Sequence, residues 1–173
     1  MSMSEEYTPC TPSQGTGQAP NIPGVRLPQN WEFEAVVKIC KELHAENGIF
    51  PLSEPKLREV LKKGFDRTGG IIGVIGKPGE IESIICMVLS MFYYTDEGHV
   101  EELFSYVRPR YRRSDNAKRM IEWAKGMADG LGLRLFIGVV SNVRTQAKVR
   151  LYRRQLGEPV GGYFIYGKRA TEH

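Results

Sequence analysis

YVRPRYRRSDNAKRMIEWAKG, Tyr106 to Gly126, leads from a strand-like run into a helix-like run through a basic turn. Across 108–119, Arg108, Arg110, Arg112, Arg113, Lys118 and Arg119 face a single acid, Asp115. After the turn, Ala117, Met120, Ile121, Ala124, Met127, Ala128 and Leu131 fall at helical spacing, and Gly130 or Gly132 ends the run. The apolar LRLFIGVV (133–140) follows as a buried strand. Strand, helix and strand make a unit whose two strands are parallel and joined by a right-handed crossover. Ligands of such units gather at the carboxyl end of the first strand, where the helix begins. The first-turn N–H groups of that helix lack partners and carry partial positive charge. An anionic phosphate at about Ser114 to Lys118 would accept several hydrogen bonds at once, with Arg112, Arg113 and Arg119 adding full charges.

Working toward the N-terminus, HVEELFSYVRP (99–109), IESIICMVLSMFYY (81–94) and IIGVIG (71–76) read as strands. The turns between them, Lys77–Glu80 and Asp96–Gly98, are short enough to require an antiparallel meander. Two helices precede them. One has Phe33, Val36, Val37, Cys40, Leu43 and His44 at helical spacing and breaks at Asn47-Gly48. The other has Ser53 as cap, Pro55 in its first turn and Leu57, Val60, Leu61 and Phe65 as its stripe. Val25 to Leu27 forms a short strand, and residues 1–23 have the composition of a flexible tail. Toward the C-terminus, a basic helix from about Val143 to Leu156 precedes a last strand, VGGYFIYG (160–167). The fold class is α/β in the broad sense, an α+β arrangement on a mixed sheet.

The 173 residues suffice for one core, with 41% hydrophobic and 25% charged residues. No apolar run reaches the ~20 residues of a membrane span, and no signal-peptide pattern opens the chain, so the expected compartment is the cytoplasm. Cys10, Cys40 and Cys86 are scattered, as are His44, His99 and His173, which argues against a metal site and for reduced structural thiols. The net charge of +4 is concentrated in 108–119 and in Arg144, Lys148, Arg150, Arg153 and Arg154. Nucleic acid, a phosphorylated cofactor and an acidic protein all fit two such clusters. No nucleic-acid-binding motif accompanies them.

The element order and the segment V-x-P-x-Y-R-x-x-x-x-A, Val107 to Ala117, resemble the GNAT superfamily of N-acetyltransferases. The resemblance runs from about Val25 to Gly167 and implies a single acetyltransferase-like domain over 24–168, with a short tail at 169–173. It aligns Arg112, Arg113, Ser114, Asp115, Asn116 and Ala117 with the turn on which the family holds the pyrophosphate of acetyl-CoA, with Lys118 next in the helix. Asp115 stands where the family prefers Gly, and capping the helix would turn its carboxylate aside. LYRRQLG (151–157) is similar to the family's x-Y-E-K-L-G-F, which places Tyr152 on the tyrosine often used as general acid. The family's asparagine six residues before that tyrosine falls on Gln146, and Asn142 lies ten before it, which implies one extra helical turn with Asn142 or Ser141 as the cap. Backbone N–H groups near Phe104 to Val107, including Tyr106 and Val107, would face the thioester at a splayed strand end.

What the resemblance implies is acetyl transfer to an amine. The amine must lose a proton, and Glu101 and Glu102 on the preceding strand are the candidate bases. Neighbours in a strand face opposite sides, and regular alternation puts Glu101 on the face of Leu103, Ser105 and Val107. The acceptor, a small-molecule or peptide amine, would be shaped by Ala45 to Ser53 and by Met91 to Tyr94. The family ends in two strands where this chain has room for one, so the open edge of 160–167 invites pairing in a homodimer. Two other classes stay open on the sequence alone: a GNAT-like binding module without turnover, and a basic nucleic-acid-binding protein.

Overall fold

The computed structural model describes residues 19–141 and 144–166. Nine regular elements follow the expected order as far as the fourth helix. They are β1 (Val25–Arg26), α1 (Phe33–Asn47), α2 (Glu54–Asp66), β2 (Gly70–Lys77), β3 (Glu80–Met91), β4 (Gly98–Val107), α3 (Asn116–Leu131), β5 (Arg134–Phe136) and α4 (Thr145–Leu156). The sheet order is β1-β2-β3-β4-β5. The first three junctions are antiparallel, and β4 with β5 is parallel. No described helix is long and apolar enough to cross a membrane.

Period-two alternation in β2, β3 and β4 divides the core between the two sheet faces. Ile72, Val74, Ile84, Cys86 and Tyr106 pack under α1 and α2, against Val36, Val37, Ile39, Cys40 and Leu61. Ile75, Ile85, Met87 and Val100 pack under α3, against Met120, Trp123, Ala124, Met127 and Ala128. α3 sits close to the sheet because Gly73 has no side chain: a Cβ there would lie 2.8 Å from the Trp123 ring. Cys40 and Cys86 belong to the first core, where burial pushes both thiols up to about 12.

Three sequence expectations are corrected. The 81–94 strand stops at Met91, because Phe92 turns back to stack on His99 at 4.6 Å and on Tyr94 at 5.6 Å. The 133–140 strand is only Arg134–Phe136. The last strand does not form within the described part of 160–167. Val160, Phe164 and Tyr166 are 92%, 98% and 104% exposed there and carry no ladder. A three-residue β5 offers too short an edge to hold another strand, and Gly161-Gly162 adds no side chain to anchor one. The homodimer expected through that edge loses the strand on which it rested. Residues 1–18, most of the N-terminal tail, and 167–173 lie outside the described residues, as does Asn142.

One buried carboxylate ties the N-terminal segment to the sheet. Glu32 has a fully buried side chain and accepts hydrogen bonds from both terminal nitrogens of Arg26 at 2.6 and 2.8 Å. It also accepts from the backbone N–H of Gln29 at 2.8 Å and of Gly79 at 2.9 Å. The Arg26 hydrogen bonds lead in holding its carboxyl down to about 2, against the cost of burial. Since folding favours the ionised form, this contribution is fully present above the ordinary value of 4.5 and is lost as pH falls toward 2. Urea titrations between pH 5 and pH 2 should show wild-type stability falling by about 3 kcal/mol more than that of Glu32→Gln. Parallel pH profiles for the two proteins would remove Glu32 from that role.

Candidate active site

The β4–β5 ladder has three pairs, His99–Arg134, Val100–Leu135 and Glu101–Phe136, and then ends. Beyond it the two strands part around a cavity of about 230 Å³. Its walls come from the end of α1 (Glu46, Asn47), from β4 (Glu102, Ser105, Val107), from the basic turn and the start of α3 (Arg112, Ser114, Ala117) and from α4 (Arg144, Lys148, Tyr152). On its inner side, β4 still pairs with β3, and Arg108 donates its N–H to the Glu82 carbonyl at 3.0 Å. Alternation along the strand therefore turns the N–H groups of Ser105 and Val107 toward the side that β5 has left.

A β-bulge decides which glutamate enters the cavity. Cys86 pairs with Phe104 and Met87 with Glu102, so Leu103 has no partner of its own. The extra residue shifts the phase of alternation, and Glu102 joins Ser105 and Val107 on the cavity side. Glu101, which regular alternation placed there, instead shares the face of His99, 3.9 Å from its ring. The Tyr152 hydroxyl lies 3.1 Å from Ser105 Oγ and donates toward both Glu102 oxygens at 3.3 Å. Burial raises the pKa of both Tyr152 and Glu102. The phenol is thus kept protonated, and the proton affinity of the Glu102 carboxylate is raised.

The turn itself is built as a helix entrance. Ser114 Oγ donates to the Tyr111 carbonyl at 2.7 Å and accepts the Asn116 N–H at 3.2 Å, so Ser114 rather than Asp115 satisfies the first amide of α3. The Asp115 carboxylate is turned aside, as expected, to pair with Arg119. The Asn116 side chain is buried and donates to Glu82 at 3.0 Å. Arg113 and Lys118 are exposed, with Lys118 3.6 Å from Glu122. Arg112 points inward. It donates to the Val107 carbonyl at 3.0 Å and to both oxygens of Glu46 at 2.5 and 2.6 Å. Its guanidinium lies 5.6 Å from the centroid of the Tyr106 ring, and the Tyr106 hydroxyl also reaches Glu46, at 3.3 Å. Tyr106 itself is buried on the α1 face of the sheet.

The helix cap expected at Ser141 or Asn142 is Arg144, held at φ 60°. Its carbonyl accepts the N–H groups of Ala147 and Lys148, and Thr145 Oγ1 ties the entrance to the Ser141 carbonyl at 2.6 Å. Ser141 also donates to the Asn47 side chain at 2.7 Å, linking this loop to α1. Of the two segments expected to shape an acceptor site, the end of α1 lines the cavity. Met91 to Tyr94 does not: Met91 pairs with Gly98, seven residues and about 20 Å along β4 from Ser105.

Sequence reasoning gave no individual role to Glu46 or Ser105 and named Arg144 and Lys148 only as members of a basic cluster. Lys148 and Tyr152 are spaced i,i+4, which gave a usable signal that they share one helix face. Glu46 is remote in sequence from the turn it braces, and no local pattern marks it. Among the described residues, no group of three or more His, Cys, Asp or Glu side chains could hold a metal ion.

The sequence matches the model of the acetyltransferase (GNAT) family over residues 36–157. Among solved structures, a predicted acetyltransferase from Clostridium acetobutylicum, determined with acetyl-CoA, is similar at a TM-score of 0.67 and 13% identity. That match covers 83% of this chain and 94% of the other. An integron cassette protein from the mobile metagenome of Cole Harbour Salt Marsh gives 0.65 at 20% identity, covering 87% and 93%. AAC(6')-Iy, in complex with the bisubstrate analogue CoA-S-monomethyl-acetylneamine, gives 0.63 at 15%, covering 84% and 97%. At these identities the likeness establishes the fold. No curated protein matches the sequence.

The Glu46–Arg112 pair yields a prediction. Both side chains are 20% exposed, so the pair is largely shielded from water. Glu46→Gln removes the charge and leaves Arg112 facing a neutral amide. Chemical denaturation should show a loss of about 2 kcal/mol. An unchanged midpoint and slope would show that the pair does not brace the turn.

Proposed function

This chain belongs to the acetyltransferase (GNAT) family, and we propose that it moves an acetyl group from acetyl-CoA to an amine by direct attack of the amine on the thioester. Acetyl-CoA is the acyl donor of the family, and the relative from Clostridium acetobutylicum was solved with it. The observation that carries the reading is the convergence of Tyr152, Ser105 and Glu102 on the side of β4 that the β5 ladder has left. A phenol, a carboxyl and an oxyanion-type donor set are what aminolysis of a thioester requires.

In this mechanism Glu102 takes a proton from the attacking amine. The N–H groups of Ser105 and Val107 stabilise the charge that develops on the carbonyl oxygen. Tyr152 gives its hydroxyl proton to the departing sulfur and recovers one from Glu102 across their hydrogen bond, so the site returns to its starting state. Glu101 has no part in it.

The cleft fits the donor. The entrance of α3 lines the cavity through Ser114 and Ala117, so its first-turn N–H groups, with exposed Arg113 and Lys118 nearby, would receive a pyrophosphate. Arg112 is committed to Glu46 and Val107, and contributes by holding the turn in shape. The amine class of acceptor is supported by the neamine-linked analogue on AAC(6')-Iy. The end of α1, with Glu46 and Asn47, forms the wall nearest the acceptor.

Two measurements test this reading. Tyr152→Phe keeps the ring and its packing but removes the transferable proton. Turnover should fall about 10²-fold, with acetyl-CoA affinity little changed. Full activity would assign the proton to water or another group. Arg113→Ala, on the exposed surface, should weaken acetyl-CoA binding by about 1 kcal/mol in calorimetry without altering stability. Unchanged affinity would move the phosphates away from this turn.

A further inference from the structure

Among the described residues Lys148 is the one lysine that lines the cavity, and the mechanism above leaves it unused. We propose that Lys148 is an internal acetyl acceptor, taking the acetyl group from a thioester bound in the same cleft when no external amine is present. The inference rests on the acetyl-transfer reading of the site.

The placement is specific. Lys148 is one turn before Tyr152 on α4, so their side chains leave the same helix face with Cβ atoms about 6 Å apart. Tyr152 touches Glu102 and Ser105, so the Lys148 stem issues into the space where the proposed donor and base meet. The charged groups around that space come from every wall: Glu46 from α1, Glu102 from β4, Arg112 from the turn, and Arg144 from the cap that precedes α4. The Arg112 guanidinium disfavours charge on the amine, and Glu102 is placed to take its proton when a thioester is bound. Burial works in the same direction and lowers the basicity of Lys148, led by desolvation and aided by Arg112, against the pull of Glu102 and Glu46. Other lysines differ in kind: Lys41, Lys63 and Lys118 are at least 45% exposed and sit in surface ion pairs.

The step balances with groups already present. Glu102 removes one proton from the Lys148 ammonium. The freed Nζ attacks the thioester carbonyl carbon, a C–N bond forms, and the C–S bond breaks with its electron pair leaving on sulfur. Tyr152 protonates the thiolate and regains a proton from the new amide nitrogen, and Glu102 releases its proton to solvent. The products are Nε-acetyl-Lys148, free coenzyme A and one proton.

Full-length protein incubated with isotopically labelled acetyl-CoA and no acceptor amine provides the test, read by intact mass and peptide mapping. One label should appear on the Lys148 peptide, ahead of any on exposed Lys118 and Lys125. It should form about 10²-fold more slowly in Tyr152→Phe. Lys148→Arg keeps the charge and should lose that label alone. A Lys148 peptide that stays unlabelled while calorimetry shows acetyl-CoA bound would overturn this inference and leave the acetyl-transfer reading standing. So would label spread evenly over surface lysines or unaffected by Tyr152→Phe. Failure to bind acetyl-CoA at all would overturn both.

Discussion

A parallel strand pair that stops after three rungs is the constraint on which this molecule depends. Backbone N–H and C=O groups away from bulk water must find partners, and a ladder normally supplies them. Here β4 runs on to Val107 while β5 ends at Phe136, so one side of β4 is released from pairing along the stretch that faces the cavity. The fold tolerates this because the other side of β4 stays bonded to β3 throughout, and α1 and α3 clamp the two sheet faces. The opening is held by packing on three sides, and each group it exposes sits on a fixed element.

Charge is distributed in the cleft by the same logic. Glu46 and Arg112 neutralise each other across the gap between α1 and the basic turn, with the Val107 carbonyl and Tyr106 hydroxyl completing the contact. That pairing leaves the arginine fork unavailable as a free anion ligand and makes it a strut. In the proposed reading, the attraction offered to an incoming phosphate then comes from the helix entrance and from solvent-facing Arg113 and Lys118. Deeper in, Glu102, Lys148 and Tyr152 form a second set, in which burial pushes each toward its neutral form. A sheltered interior set and a charged outer turn are what the proposed donor, anionic at one end and an uncharged thioester at the other, would need.

The parts of this fold that rest on local periodicity were legible in the sequence. The helical stripe from Ala117 to Leu131, the meander of β2, β3 and β4, and the parallel return to β5 all follow from spacing and turn length. Tyr152 and the 112–117 turn were singled out through resemblance, and of these Tyr152, Arg112, Ser114 and Ala117 line the cleft. Three things were not. The bulge at Leu103 has no local signature, yet it exchanges Glu101 for Glu102 as the residue that faces Tyr152. The end of β5 is set by where the ladder stops, although Ile137, Val139 and Val140 continue an ideal strand composition. The 160–166 segment has strand composition as well, but composition only permits a strand, and a neighbouring edge must be there to receive it.

The close fit of Gly73 beneath Trp123 has a spectroscopic consequence. The chain has two tryptophans, Trp31 at 63% exposure beside Gly79 and Trp123 at 1% against the sheet. Their emission separates by solvent contact. A collisional quencher such as iodide extinguishes the Trp31 component and spares that of Trp123. The residual blue-shifted signal belongs to one residue on α3, seven positions after Asn116 opens that helix. Seating of α3 on the sheet can therefore be followed optically in the unmodified protein, with no label placed near the cleft.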